Sequence, residues 1–476
     1  AVSMETSIER LAWVAVFVAS PYASACGRAY KPFNPLLGET FEHSHRGFHF
    51  LSEQVSHHPP ITAYHVENPL YVSWGHLLLE TRFSKGFLRV TMPGEAHLLF
   101  PSTSEGDHYI YQRADILVHN VILGNLWIEM RDCPAVGINL KKFCDGTIII
   151  RNETMGDFAI LQFLPKGWPL LNSSSPLNSS SLNFSSSPPP PLNSSSPLNS
   201  SSSLNSSSPL NSSSPPPPPL NSSSSPMPLI FSLIVNRIRG TLHHFRAIVF
   251  DRSHRSHFYL SGIWSMEIYM KALDPNKSFL FSFRDKKSAP TKGMHTKDGT
   301  ALNHEDSSKG VDQGIQHILH RGITLSSVVL MAGLLNWDAL EKESLEGNIL
   351  VWRCSPRPAD SEGYYGFGYF TMELNERSPD YRLEKDHILP PTDSRFRPDQ
   401  RAYEQGDIEL AKSEKNRLEE KQRAAARLRT KPNDKYKSFW FEKCVDRITQ
   451  KEGWIYKGNY WESKKRGCFE NCPDIF

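Results

Sequence analysis

The chain reads as mainly β with α, built on a β-barrel or large curled antiparallel sheet. Three observations predict this. Short β-rich apolar runs recur from Phe41 to about Leu164, punctuated by Gly, Pro, Asp and Asn. Many short strands at such spacing suit a barrel or a large curled sheet. An apolar stretch before them and a charged stretch without Gly or Pro near the end read as flanking helices.

The first helix covers Ser7 to Ser24. Its apolar run Leu11–Val18 followed by small residues has the look of a signal peptide, but Glu5 and Glu9 stand where positive charge belongs. The run is also too short to span a bilayer. It reads as a core helix. Strands are expected over Gly47–Leu51, Tyr71–Leu79, Phe87–Met92, Ile116–Ile122, Asn125–Glu129, Gly146–Arg151 and Phe158–Phe163.

From about 170 to 226 the chain is almost only Ser, Asn, Leu and Pro. Such a tract cannot bury enough apolar surface to offset its ordering entropy, so a disordered insertion is expected. Strands resume at Arg246–Phe250 and Phe258–Trp264. Residues 271–345 then read as a polar loop and an irregular insertion, with one apolar run, Ile323–Leu335, that suits a buried element. Strands are expected again at Leu350–Arg353 and Tyr369–Glu376. Leu389–Asp399 reads as an extended lead into a long helix, about Ile408 to Arg429.

The 476 residues carry 53 Lys and Arg against 50 Asp and Glu, a net charge of +3, too small to imply nucleic acid. Seven cysteines, odd in number and dispersed, give no disulfide framework and favour a reducing compartment. Cys468 and Cys472 read as free thiols.

Two features stand out chemically. In Glu53-Gln54-Val55-Ser56-His57-His58-Pro59-Pro60 the prolines stiffen the chain and exclude helix. Extended backbone here would send the two imidazoles to opposite sides. They could serve an anion, or the segment could be a plain polar turn. A metal is disfavoured, because a chelate needs further ligands at sensible spacing. On the long helix, Lys415, Glu419 and Arg423 recur every four residues and share one face. Taken alone, that pattern favours an ordinary solvated salt-bridge ladder.

The octapeptide Glu53–Pro60 resembles the fingerprint of the oxysterol-binding protein family. Lys31-Pro32-Phe33-Asn34-Pro35-Leu36-Leu37-Gly38-Glu39-Thr40 resembles that family's second hallmark, in order and at the expected distance. Val118-His119-Asn120 and Leu126–Glu129 are similar to family segments, as is the tail Trp454–Glu462. The resemblance implies a large antiparallel incomplete β-barrel enclosing a lipid tunnel, with N-terminal and C-terminal helices at its flanks. It implies a single lipid-binding domain over 1–476, here lacking the N-terminal lid that precedes the first helix in the family.

The resemblance further implies that Lys31, His57, His58, Lys415, Glu419 and Arg423 hold a phosphoinositide headgroup at the barrel rim, phosphatidylinositol 4-phosphate above all, and Asn34 could add an amide donor there. The chemistry is coherent: phosphates want charge-assisted donors, and Glu419 would orient its cationic neighbours. The tunnel would take a sterol or other lipid in exchange, between organelle membranes, with the protein cytoplasmic and peripheral. No cofactor, metal or catalytic residue is called for. A phosphoinositide-dependent scaffold or sensor without net transfer is the alternative. A hydrolase using His57 or His58 finds no G-x-S-x-G elbow and no H-E-x-x-H helix in support.

Overall fold

The structure, a computed structural model, describes residues 1–26, 33–44, 46–84, 86–103, 106–121, 127–131, 146–166, 243–279, 328, 335–344, 346–364, 366–374, 389–429 and 436–476. The expected insertion at 170–226 lies outside them, as does nearly all of 280–334.

The N-terminal helix Ser7–Ala19 starts at a capping box. The Thr6 hydroxyl accepts from the Glu9 amide while the Glu9 carboxylate reaches back to the Thr6 amide. Leu11, Ala12, Val14, Ala15 and Ala19 are fully buried. It is a core helix, as the acidic flank predicts. Among the described residues no helix is long and apolar enough to cross a membrane.

The strands follow as β1 Thr40–His43, β2 His49–Ser56, β3 Ile61–Asn68, β4 Tyr71–Leu78, β5 Glu80–Ser84, β6 Phe87–Thr91, β7 Glu95–Phe100, β8 Asp107–Gln112 and β9 Asp115–His119. Then come β10 Trp127–Arg131, β11 Thr147–Asn152, β12 Phe158–Phe163, β13 His244–Phe250, β14 Ser256–Ile263, β15 Glu267–Ala272 and β16 Ile349–Arg353. Twelve form one antiparallel sheet in the order β1-β2-β3-β4-β7-β8-β11-β12-β13-β14-β15-β16. Its edges β1 and β16 do not pair, so the barrel is incomplete. A second sheet runs β10-β9-β6-β5, and a hairpin, β17 Phe441–Val445 with β18 Glu452–Tyr456, closes the C-terminal part.

Strands β12 and β13 are buried on both faces, which is why they read as unbroken apolar runs. Ala159, Leu161, Phe163, Phe245, Ala247 and Val249 meet the N-terminal helix. Phe158, Ile160, Ile248 and Phe250 meet Val328, Leu335 and Leu340 on the opposite face. The helix packs on β12 and β13, whereas β3 and β4 keep partial exposure almost throughout. The helix thus fills the face over β12 and β13, and β3 and β4 are less completely covered.

Two expectations are corrected. Tyr369–Glu373 is a helix, not a strand. None of its residues is buried and it joins no sheet. It is held instead by Phe370 against His43, by the Arg46 guanidinium over Phe370 and by an Arg46–Glu373 ion pair. The lead into the long helix is not simply extended: a 3₁₀ turn at Ser394–Phe396 and a helix at Pro398–Glu404 precede it. The long helix itself runs Ile408–Leu428, capped by the Asp407 carboxylate on the Leu410 amide at 2.9 Å. Cys26, Cys354, Cys444, Cys468 and Cys472 are free thiols.

Candidate functional site

The site is built on two strips laced together. Gly38 donates its amide to the Gln54 carbonyl and Gln54 donates to the Glu39 carbonyl, both at 2.9 Å. Gly38 has φ +86, and a Cβ there would lie 2.8 Å from the Tyr436 hydroxyl, so the position takes glycine.

Beneath these strips lies a saturated clasp. The buried Glu39 carboxylate accepts from the Leu36 amide at 2.7 Å and from Arg397 Nη1 at 2.8 Å. Arg397 also donates to the Asn34 carbonyl at 2.7 Å, and through Nε and Nη2 to both Asp399 oxygens at 2.8 and 2.9 Å. Its guanidinium lies over the Phe33 ring. Burial pushes the Glu39 carboxyl up, and Arg397 opposes that shift. Glu53, with no exposed surface, accepts from the Tyr436 hydroxyl and from the Phe439 and Trp440 amides at 2.7 to 2.9 Å. The acid that opens the octapeptide is therefore a strut for the C-terminal segment.

The same octapeptide ends in an open turn. Residues 57–60 are not extended, and the two imidazoles do not point apart: their rings lie 4.5 Å from each other. The His58–Pro59 peptide is cis. His58 is exposed and His57 half-buried. His57 Nδ1 is buried and has no hydrogen-bond partner among the described residues. Burial pushes the His57 pKa below its ordinary value, and His58 adds to this. The Pro35 backbone and the Glu419 charge pull the other way. One ring nitrogen is thus left without a partner among the described residues.

The long helix supplies the facing side. Lys415 Nζ stands 3.2 Å from Glu419 Oε1, and Arg423 Nη2 donates to Glu419 Oε2 at 2.9 Å. Arg423 also reaches Glu420 at 3.2 Å. That ladder alone would be ordinary. Its placement is not: Gln422 Oε1, on the same helix, accepts from the Leu37 amide at 2.8 Å and fixes the helix to the first strip.

The structure thus brings Glu419 of that stripe within electrostatic reach of His57, whose ring lies against His58, and these groups make up the rim. Asn34 is exposed, and its carbonyl accepts from Arg397. Lys31 lies outside the described residues. His119, in the small sheet, stacks on Trp127 at 3.7 Å and meets Glu129 at 3.2 Å, a satisfied histidine rather than an open one.

Sequence reasoning missed Glu39, Glu53, Arg397 and Asp399 as the supports of this rim. A separate cleft of about 210 Å³ lies between β4, β7 and the β17–β18 hairpin, lined by Trp74, His76, His97, Asp446 and Trp454, and it contains none of the rim residues.

Fold and rim define the class: an incomplete antiparallel barrel, filled over β12 and β13 by its first helix, with imidazoles and paired charges along one margin. The family model described as oxysterol-binding protein matches residues 1–179 and 232–465. The chain belongs to the oxysterol-binding protein family.

It is 28% identical over its whole length to human oxysterol-binding protein-related protein 1, and it spans 38% of that protein. It is likewise 28% identical over its whole length to mouse oxysterol-binding protein-related protein 2, spanning 75% of it. Among solved structures it resembles the Osh1 ORD domain in complex with ergosterol, with a TM-score of 0.62 and 23% identity, covering 100% of this chain and 80% of that one. It also resembles the Osh3 ORD of Saccharomyces cerevisiae in complex with PI(4)P, with a TM-score of 0.55 and 18% identity, covering 98% and 81%.

Proposed function

We propose that this chain binds lipids and transfers them between membranes, exchanging a phosphoinositide, phosphatidylinositol 4-phosphate, against a sterol or other lipid in one tunnel. The observation that carries the reading is the meeting of His57 and His58 with the Lys415–Glu419–Arg423 stripe across more than 350 residues of sequence. Nothing in the local sequence requires these groups to be neighbours. The relatives solved with ergosterol and with PI(4)P support both halves of the exchange.

In this reading the phosphomonoester takes hydrogen bonds from the paired imidazoles and charge from Arg423 and Lys415. Lys31 and the Asn34 amide complete the ring. Glu419 holds the two cations in place and accepts from an inositol hydroxyl. The less completely covered part of the curled face takes the apolar part of the lipid. No covalent bond is made or broken, and no metal or cofactor takes part. The protein works in the cytoplasm, peripherally on organelle membranes.

The test is extraction of phosphatidylinositol 4-phosphate from vesicles by wild type and by the His57→Ala/His58→Ala variant. Loss in the variant with sterol uptake retained is expected. Undiminished phosphoinositide extraction by the variant overturns the headgroup assignment.

A further inference from the structure

The sheet also holds a buried cation, near β3 and β8, that the rim does not use. Arg113, just past the end of β8, directs Nη2 to the Tyr64 hydroxyl at 2.9 Å, with its guanidinium carbon 5.6 Å from the centre of the Tyr64 ring. Nη1 is buried and has no hydrogen-bond partner among the described residues.

Strand register shows which way this group looks. Tyr64 pairs with Gly75, Gly75 with Ala96, and Ala96 with Tyr111. Tyr111 packs against the same cluster as the N-terminal helix, so the row lies on the inner face. Tyr22, beyond that helix, completes the surroundings, and its hydroxyl oxygen accepts from the Ala114 amide at 3.0 Å. Tyr64 stands three residues in from Ile61, the first residue of β3 after the histidine turn, or roughly 10 Å along the strand.

The groups that act most strongly on the guanidinium are thus phenols, those of Tyr64, Tyr111 and Tyr22, and the His76 imidazole within its reach supplies no negative charge. Burial keeps the Tyr111 hydroxyl protonated at any physiological pH. Among the described residues no carboxylate forms an ion pair with Arg113. A guanidinium cannot shed its proton to relieve this, and a desolvated charge without a counter-charge is costly. Tight positioning by Tyr64 leaves one edge of the fork free to meet a planar or tetrahedral oxyanion.

We infer that Arg113 and Tyr64 form a second polar site inside the barrel, which takes an amphiphile whose polar end carries an anionic oxygen, carboxylate or phosphate. The inference rests on the proposed lipid-binding reading and names a class of cargo for the tunnel.

The experiment compares wild type, Arg113→Met and Arg113→Lys with phosphatidylcholine vesicles carrying oleic acid, phosphatidic acid, cholesterol or phosphatidylinositol 4-phosphate. Lipid moved into the protein fraction is measured, together with melting of the lipid-free chains. Wild type is expected to extract oleic acid, which marks a carboxylate, or phosphatidic acid, which marks a phosphate. Arg113→Met should extract that lipid at least about tenfold less, with cholesterol unchanged, and should melt no lower than wild type once lipid-free. Arg113→Lys should retain part of the uptake.

Equal loss of cholesterol and anionic lipid in Arg113→Met, or a lower lipid-free melting point, would make Arg113 structural and overturn the inference. So would anionic uptake within twofold of wild type. If wild type takes phosphatidylinositol 4-phosphate and cholesterol but neither oleic nor phosphatidic acid, this inference alone falls. Uptake of no lipid at all removes the broader reading with it.

Discussion

The clasp and the rim each draw residues from the two sequence motifs, yet they are opposites. In the clasp, Glu39, Arg397 and Asp399 are buried and each has charged partners at hydrogen-bond distance. Glu53 likewise accepts from three donors. Four residues further on, His57 keeps a buried nitrogen with no partner among the described residues, and Lys415, Glu419 and Arg423 trade charge at the surface. One region has committed its polar capacity to structure, and the other leaves a nitrogen unpartnered among the described residues. In the proposed reading, a short motif holds a strut and a binding group side by side.

The contrast predicts different kinds of damage. Arg397→Met leaves two buried carboxylates facing each other without a cation, and should cost about 3–5 kcal/mol of stability. A urea titration checks this, and a loss below 1 kcal/mol would erase the distinction between the regions. Gly38→Ala forces a left-handed backbone and a clash with the Tyr436 hydroxyl, at an expected cost of about 1–3 kcal/mol in the same titration. Arg423→Ala at the rim should cost no more than about 1 kcal/mol, because exposed pairs contribute little, while phosphoinositide extraction is lost.

Acid acts on a third place, the His97–His108 pair of β7 and β8, and on the rim. Burial, with His97 adding to it, pushes His108 down to about 4. The unfolded chain then binds more protons than the native one between the ordinary histidine value near 6.5 and about 4. This contribution to stability is present at neutral pH and lost as pH falls through that window. Wild type should lose stability relative to His108→Gln between pH 7 and pH 4.5, read from denaturation midpoints at the two values. His57 runs the other way for binding. Its pKa is low in the free protein and rises beside a phosphate, so phosphoinositide affinity should grow as pH drops from 7.5 towards 6.

Much of the fold was legible because local pattern and tertiary burial agreed. Phe158–Phe163 matches β12 at both ends, since an apolar run buried on two faces leaves no ambiguity. β3, β5, β7, β8, β15 and the β17–β18 hairpin escaped, their polar and aromatic residues blurring the alternation. Tyr369–Glu373 was misread because Tyr, Phe and Thr favour strands, whereas contacts with Arg46 and His43 hold it as an exposed helix.

His57 and His58 stood out through a short, distinctive motif, whereas Lys415, Glu419 and Arg423 read alone as an ordinary ladder and were singled out only by the family resemblance. The clasp was not legible, since Glu39 and Arg397 lie 358 residues apart and neither carries a local sign of burial. Arg113 was invisible for the same reason: its isolation is a property of the assembled sheet.

The most direct test of the central claim, that the rim keeps its imidazoles open for a phosphoinositide, is NMR of the His57 and His58 rings during titration with short-chain phosphatidylinositol 4-phosphate. Both rings should shift on binding, and the His57 pKa should rise from its depressed free value. Saturable binding of that lipid with both rings and their pKa values unmoved would contradict the account.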